Sequence, residues 1–354
     1  MGLYQAVARP LLFALPPEAA HRVAHTVLGL PLPWDAIGAV PDDRRLRVRV
    51  AGLDLPNPVG LAAGFDKECA HLDALGRLGF GYVVGGTVTR HPRPGNRKPR
   101  IVRYRTRRSL ANSMGLPNPG AEAVAERLRS VPRTGPRLVS VADEAVEDVV
   151  ATHAMLEPLV DGVELNASCP NVSWGRDRDN EAHLASLLRG LNARRRTPLF
   201  VKLPPFGTDV EREVVLAMAS IAVDGGADGL TCSNTRPVGE TRLGTGLGGL
   251  SGAALAADTP RIVRDVGRAT RGSVPINACG GISSAEEAVA CLEAGAATVQ
   301  LYTALLYEGP RIVRTITKGL IAAIDGGRLD RGEAVWAPSE RKRGRDGGAV
   351  GARG

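Results

Sequence analysis

One segment in the middle of the chain joins a short apolar run to a polar turn: Val163-Glu164-Leu165-Asn166-Ala167-Ser168-Cys169-Pro170-Asn171. Alternating valine and leucine are typical of a buried strand, and the proline ends that strand because it has no amide proton for the ladder. The two asparagines offer donors and acceptors suited to a planar polar ligand. The cysteine carries the proton that titrates nearest neutral pH, although a cysteine at a strand end is also typical of simple packing.

Apolar, β-branched runs recur on both sides of this segment and alternate with stretches of helical length. Strands are predicted near residues 59–63, 82–88, 137–142, 162–168, 199–203, 229–234, 275–279 and 298–302. Helices are predicted at 68–79, 119–131, 144–160, 180–197, 209–226, 252–271, 283–295 and 308–325. This alternation is typical of an α/β protein whose strands close into a (β/α)₈ TIM barrel. Period-two alternation in residues 47–50 and 53–55 predicts a small hairpin in front of the barrel.

Two extensions of different character flank the barrel, which is expected over residues 46–328. Residues 1–45 are predicted to form an amphipathic helical extension, with two short helices within residues 1–30 and a proline-rich linker after them. These helices are too short to span a bilayer, so they either lie on a membrane or pack against the barrel. Residues 329–354 are rich in glycine and arginine, and their lack of periodicity predicts a disordered basic tail.

Composition narrows the class of protein further. The chain has 354 residues, of which 44% are hydrophobic, and neither a membrane span nor a secretory signal is evident. Five cysteines without paired, zinc-type or iron–sulfur spacing predict free thiols in a reducing compartment and no bound metal. The net charge is +8, and residues 90–108 contain nine Lys or Arg and no acid. No aromatic platform accompanies these charges, so a solvated basic face is favoured over a nucleic-acid site.

The carboxyl ends of barrel strands are where such folds place their chemistry. Lys67 and Lys202 lie at two of these ends and would face one mouth, where they could stabilise an anion or an electron-rich ring. Glycines in residues 248–252 and 280–281, together with Tyr302 and Thr303, indicate a phosphate site because glycine lets backbone N–H groups approach an anion. The alternative is that these glycines only form tight turns. The long loop at residues 90–118 is of a length that is usually functional or disordered.

Longer motifs carry a resemblance to a known family. Residues 57–67 (NPVGLAAGFDK), 86–89 (GTVT) and 94–100 (PGNRKPR) resemble the quinone-using, membrane-associated class of dihydroorotate dehydrogenases, and so does the LPPEAAH motif at residues 15–21. The resemblance covers nearly all of residues 1–325. It implies oxidation of dihydroorotate to orotate in pyrimidine synthesis, with hydride transfer to FMN and reoxidation by a membrane quinone. It also implies peripheral attachment through residues 1–30 to the cytoplasmic side of the cell membrane.

The resemblance assigns roles to individual residues, with Cys169 as the catalytic base that removes a proton from the substrate. Flavin binding would fall to Ala63, Gly64, Thr87, Asn166, Lys202 and Ser233, and the FMN phosphate to Gly252, Gly281, Tyr302 and Thr303. Substrate binding would fall to Lys67, Asn112, Ser113, Met114, Gly115, Leu116, Asn166, Asn171, Asn234 and Thr235.

Three departures from the quinone-using class leave alternatives open. That class has a serine where this chain has Cys169, and the loop at residues 112–118 (NSMGLPN) is closer to the soluble class. Ser140 and Asp143 stand where an asparagine and a lysine are usual. One alternative is therefore a cytoplasmic FMN paralogue that uses fumarate or acts on a related cyclic imide or ureide. Another is a non-redox, phosphate-binding barrel that uses a lysine Schiff base as an aldolase or isomerase.

Overall fold

The computed structural model describes residues 2, 4–168, 180–330 and 334–336, with the backbone alone for residues 180 and 334–336. The strands are β1 (Val48–Val50), β2 (Leu53–Leu55), β3 (Val59–Leu61), β4 (Tyr82–Val88), β5 (Ile101–Tyr104), β6 (Ser109–Asn112), β7 (Arg137–Val141), β8 (Gly162–Asn166), β9 (Leu199–Leu203), β10 (Gly229–Cys232), β11 (Arg236–Gly239), β12 (Leu247–Gly252), β13 (Ile276–Cys279), β14 (Thr298–Leu301) and β15 (Ala334–Trp336). The α-helices are α1 (Arg9–Ala14), α2 (Pro17–Leu28), α3 (Trp34–Gly38), α4 (Leu72–Gly76), α5 (Ala121–Ser130), α6 (Val146–Leu156), α7 (Asn180–Asn192), α8 (Asp209–Asp224), α9 (Asp258–Ala269), α10 (Ala285–Glu293), α11 (Thr303–Glu308) and α12 (Ile312–Asp325). A π-helical turn (Tyr4–Ala8) precedes α1, and 3₁₀ turns lie at Arg44–Leu46, Glu157–Leu159 and Ala253–Leu255.

Eight parallel strands close into a barrel in the order β3, β4, β7, β8, β9, β10, β13 and β14, and β14 pairs again with β3. The predicted (β/α)₈ TIM barrel is thereby confirmed. The strands read as apolar runs because both of their faces are covered, one by the helices and one by the barrel interior. Leu61, Val163 and Leu165 are fully buried in the same core as the helix residues Leu187 and Ile316. Burying each such side chain contributes about 1.5–3 kcal/mol.

Several helix boundaries differ from the sequence prediction for local reasons. Helix α4 is much shorter than residues 68–79, because the buried Asp66 carboxylate accepts hydrogen bonds from the backbone N–H groups of Ala70 and His71 and holds a loop there. The helix predicted at 308–325 starts only at Ile312, after Pro310. The prediction for residues 252–271 was wrong at its start, since Gly252 ends strand β12 and α9 begins later.

A four-stranded antiparallel sheet at the barrel mouth was not predicted. Its order is β11-β12-β6-β5, and the central pairing places Gly249 opposite Asn112. Two stretches interpreted as loops, within residues 90–118 and 236–252, supply its strands. Neither stretch has the period-two apolar pattern of a half-buried strand, because glycines and polar residues occupy it. This sheet forms the outer wall of the cavity described below.

The segments that flank the barrel also depart from prediction in part. The β1–β2 hairpin is confirmed, with Val48 paired to Leu55. The predicted linker contains helix α3, whose Trp34 is buried, so residues 34–38 are not a plain linker. Strand β15, inside the predicted disordered tail, pairs in parallel with β1, which corrects that prediction for three residues. The rest of the tail, from residue 337, lies outside the described residues. None of the helices described here is both long enough and apolar enough to cross a bilayer.

Candidate active site

A cavity of about 1160 Å³ lies between the carboxyl ends of the barrel strands and the four-stranded sheet. Every predicted site residue that the structure describes lines this cavity. They are Ala63, Gly64, Lys67, Thr87, Asn112, Ser113, Met114, Gly115, Leu116, Asn166, Lys202, Ser233, Asn234, Thr235, Gly252, Gly281, Tyr302 and Thr303. Cys169 and Asn171 lie outside the described residues. The individual roles assigned to all these residues remain predictions.

A hydrogen-bonded row of side chains crosses the floor of the cavity at the end of β8. Asn166 donates from Nδ2 to Thr87 Oγ1 at 3.2 Å, and Thr87 Oγ1 lies 3.0 Å from Ser140 Oγ. On the other side, Asn234 donates from Nδ2 to Ser168 Oγ at 2.8 Å and to Asn166 Oδ1 at 3.3 Å. Ser140, one of the departures noted in the sequence, therefore joins the row. These contacts fix the two amides in one orientation, as recognition of a planar ring requires.

The two strand-end lysines have opposite electrostatic environments. The Lys67 Nζ donates to the carbonyl oxygen of Gly64 at 2.5 Å, and burial lowers the pKa of Lys67 to about 8. Lys202 is almost fully buried, and its Nζ lies 3.5 Å from Glu164 Oε1. Burial alone would lower the pKa of Lys202, but the Glu164 charge opposes it and the net pKa is raised. Lys202 is thus a poor Schiff-base nucleophile, because its free amine is scarce at neutral pH.

Glycines form a wall of the cavity where the chain after β12 meets the turn after β13. Gly281 has φ +74°, and a Cβ there would lie 2.3 Å from the backbone nitrogen of Ala256. Gly252 has φ +89°, and its Cβ would lie 2.5 Å from the carbonyl oxygen of Arg108. Close to it, Thr303 donates from Oγ1 to Ser251 Oγ at 3.0 Å. Hydroxyls and backbone without side chains are what phosphate binding requires, so this wall fits the predicted phosphate site.

The loop that follows β6 forms another side of the cavity, across from the glycine wall. Asn112 lines the cavity and donates from Nδ2 to the carbonyl oxygen of Gly249 at 3.2 Å. The hydroxyl of Ser113 is buried and has no hydrogen-bond partner among the described residues. A buried hydroxyl without a partner is costly unless a ligand or water satisfies it. Ser113 therefore marks a place where a polar ligand atom fits.

Sequence reasoning assigned no role to several residues that the fold brings to this cavity. Arg108, Ser251 and Gln300 line it, and Glu164 lies behind Lys202. Gln300 and Glu164 are polar residues inside apolar strand runs, and both are about 1% exposed. A polar residue in a run that is otherwise apolar is the signal that could have indicated them.

The family model for dihydroorotate dehydrogenase matches residues 45–324. The chain belongs to the dihydroorotate dehydrogenase family. It is 40% identical to dihydroorotate dehydrogenase (quinone) of Anaeromyxobacter sp. over 353 residues, which cover 93% of this chain and 96% of the relative. It is 37% identical to the enzyme of the same name from Kineococcus radiotolerans, covering 93% of this chain and 97% of the relative. The family is flavin-dependent.

Solved structures agree with this assignment. The crystal structure of DHODH from Eimeria tenella in complex with ferulenol superposes with a TM-score of 0.78 at 29% identity, covering 90% of this chain and 95% of that one. The superposed part of the chain is longer than the barrel itself. The likeness therefore extends beyond the TIM fold that unrelated enzymes share.

Proposed function

We propose that this protein oxidises dihydroorotate to orotate in pyrimidine synthesis, with FMN as the hydride acceptor and a membrane quinone as the final oxidant. The observation that carries the proposal is that one cavity combines a glycine wall, a row of fixed amides and two lysines. The relatives named dihydroorotate dehydrogenase (quinone) support the substrate and the acceptor.

The cavity fits FMN together with a small substrate. Ligand pockets usually measure about 300–1,000 Å³, so 1160 Å³ leaves room for two molecules side by side. Gly252, Gly281, Tyr302 and Thr303 would hold the phosphate, while Lys202 and Thr87 would contact the flavin ring. Bound FMN would supply the hydride acceptor that no side chain can provide.

The remaining residues of the cavity would hold the substrate and move its proton. Cationic Lys67 would bind the dihydroorotate carboxylate, and the amides of Asn112, Asn166 and Asn234 would hydrogen-bond to its ring. Cys169 would take the proton from the substrate. Its neighbour Ser168 is hydrogen-bonded to both Asn166 and Asn234. The assigned base thus directly follows a residue anchored to the amide row.

The N-terminal extension fits the role of a quinone entrance. A line of ring contacts runs from His21 of α2 to Phe65 at 5.5 Å and from Phe65 to Tyr302 at 5.5 Å, and Tyr302 lines the cavity. Burial lowers the pKa of His21 to about 2, so the line is uncharged at neutral pH. Apolar side chains on the same extension are exposed to solvent, including Leu11 at 66%. We infer that the extension rests peripherally on the cytoplasmic side of the cell membrane.

A soluble acceptor is the second candidate, because Cys169 and the NSMGLPN loop resemble the soluble class. Fumarate would then replace quinone, and the extension would be structural only. The substrate and flavin roles would not change.

An anaerobic assay of the purified protein tests these proposals. The preparation is expected to be yellow, to release FMN on denaturation, and to bleach when dihydroorotate is added. Menaquinone or ubiquinone should restore the colour, whereas fumarate should not. Restoration by fumarate alone would favour the second candidate. A colourless protein that takes up no FMN would overturn the redox proposal and favour the Schiff-base barrel.

A further inference from the structure

The interior of the barrel contains a chain of polar side chains in place of the branched apolar residues that usually fill it. Lys202 Nζ lies 3.5 Å from Glu164 Oε1, and Thr231 donates from Oγ1 to Glu164 Oε2 at 3.0 Å. The chain of contacts continues through the buried side chains of Asn277, Thr298 and Tyr82. Together these residues connect the cavity lysine to the opposite side of the barrel.

Stability alone does not account for this arrangement. Glu164 and Lys202 are 1% and 5% exposed, so both have lost nearly all of their hydration. Removing each ion from water costs several kcal/mol, and apolar residues of similar volume often stabilise a fold as well or better. The pair is therefore better explained by what it does at the cavity.

Only one member of the Glu164–Lys202 pair reaches the cavity. Lys202 lines the cavity, whereas Glu164 does not and can act on a ligand only through Lys202. We propose that Glu164 is a positioning residue that keeps Lys202 protonated and directed at the flavin ring, while Thr231 fixes the carboxylate in turn. The proposal rests on the proposed function, since it places FMN beside Lys202. A permanent positive charge there would stabilise the electron-rich reduced ring.

The surroundings of Lys202 leave Glu164 as its counter-charge. Burial would lower the pKa of Lys202, and the Glu164 carboxylate opposes this effect. The other titratable group that acts on Lys202 is the Cys279 thiol of β13, and burial raises the pKa of that thiol, so it is neutral at working pH. Burial likewise raises the pKa of the Tyr82 phenol at the far end of the chain. Within the described part of the protein, no other anion acts on Lys202.

The test is the reduction potential of the bound flavin as a function of pH in wild type and Glu164→Gln. Glutamine keeps the shape and can still accept from Thr231, but it removes the charge. Buried lysines without a partner can titrate as low as about pH 5–6. We therefore expect the wild-type curve to show no lysine titration between about pH 6 and 9, and the variant curve to gain one. Above that titration the variant should favour the reduced flavin at least tenfold less, which is about 30 mV for a two-electron couple.

Thr298→Val serves as the matched control, because it breaks the polar chain without touching either charge. It should keep the wild-type pH dependence even if it lowers thermal stability. Parallel curves for wild type and Glu164→Gln, or equal changes in both variants, would overturn the proposal.

A second measurement needs neither variant activity nor bound flavin. The chain has five lysines, so the side-chain carbon signal of Lys202 can be assigned by NMR with Lys202→Arg and followed against pH. In wild type it should remain that of an ammonium group to about pH 9 or above. A Lys202 titration near neutral pH in wild type would contradict the role of Glu164. Failure to take up FMN would instead count against the proposed function and leave this measurement intact.

Discussion

The mouth of the barrel and the N-terminal extension are built on opposite principles. At the mouth, several polar side chains are buried and hydrogen-bonded to one another, as in the row of Thr87, Asn166 and Asn234. The extension instead exposes apolar side chains, and its contacts with the rest of the protein include the 2.5 Å ion pair of Glu18 with Arg100. A cavity lined by fixed polar groups suits chemistry on a small polar substrate, and an exposed apolar surface suits contact with lipid. Under the proposed function, oxidation of the substrate and delivery of electrons would therefore use separate parts of the molecule.

Substitution of Cys169, the proposed base, is expected to have the largest effect on the rate of flavin reduction. Cys169→Ala should lower the rate of flavin reduction by dihydroorotate by about 10²–10⁴-fold, because general base catalysis contributes about that much. Cys169→Ser should shift the pH profile of turnover upward by about one unit or more, since a hydroxyl ionises far less readily than a thiol. Stopped-flow absorbance measures both. Unimpaired reduction in Cys169→Ala would remove Cys169 from the mechanism.

The glycine wall provides the next test of the mouth. Gly281→Ala should weaken FMN binding about hundredfold, or about 2.8 kcal/mol, because its Cβ would meet the Ala256 backbone at 2.3 Å. Gly295→Ala is the matched control, since Gly295 also has positive φ, at +103°, but has open space around its Cβ position. The control should lose stability without losing flavin. Equal FMN affinity in the two variants would mean that Gly281 does not border the phosphate.

The titration of Lys67 should make the binding of dihydroorotate weaker as the pH rises. Burial lowers its pKa to about 8, so the cationic form predominates below that pH and is lost above it. The KM for dihydroorotate should therefore rise about tenfold per pH unit above about pH 8, as the ammonium partner of the carboxylate disappears. Lys67→Met should show a high KM that no longer changes over this range. A wild-type KM that stays flat to pH 10 would contradict the assigned contact.

Introducing one charged side chain on the N-terminal extension should weaken the contact of the extension with lipid. Leu11→Glu should reduce co-sedimentation with phospholipid vesicles about tenfold or more, because about 2 kcal/mol of apolar burial is lost. Val210→Glu is the control, since Val210 is 74% exposed but lies on α8, outside the extension. Equal loss in both variants would mean that the extension has no special part in lipid binding.

The sequence predicted the barrel well because its strands are continuous apolar runs, so that Val163 and Leu165 identify β8 without tertiary information. The four-stranded sheet was missed because Gly249 and Asn112 become strand partners only after two distant loops meet. Glu164 was missed for a similar reason, since its partner Lys202 is 38 residues away and the parallel register of β8 and β9 brings them together. The site was therefore predictable where single motifs define it. It was not predictable where pairing between distant strands does.

The most direct measurement follows both half-reactions in the protein lacking residues 1–30, with its thermal stability checked first. Dihydroorotate should bleach the flavin at nearly the wild-type rate, because the cavity is built from barrel elements and the sheet at its mouth. Reoxidation by quinone should be abolished. If both half-reactions fall together, or if quinone still reoxidises the shortened protein at full rate, the separation of the two functions is contradicted.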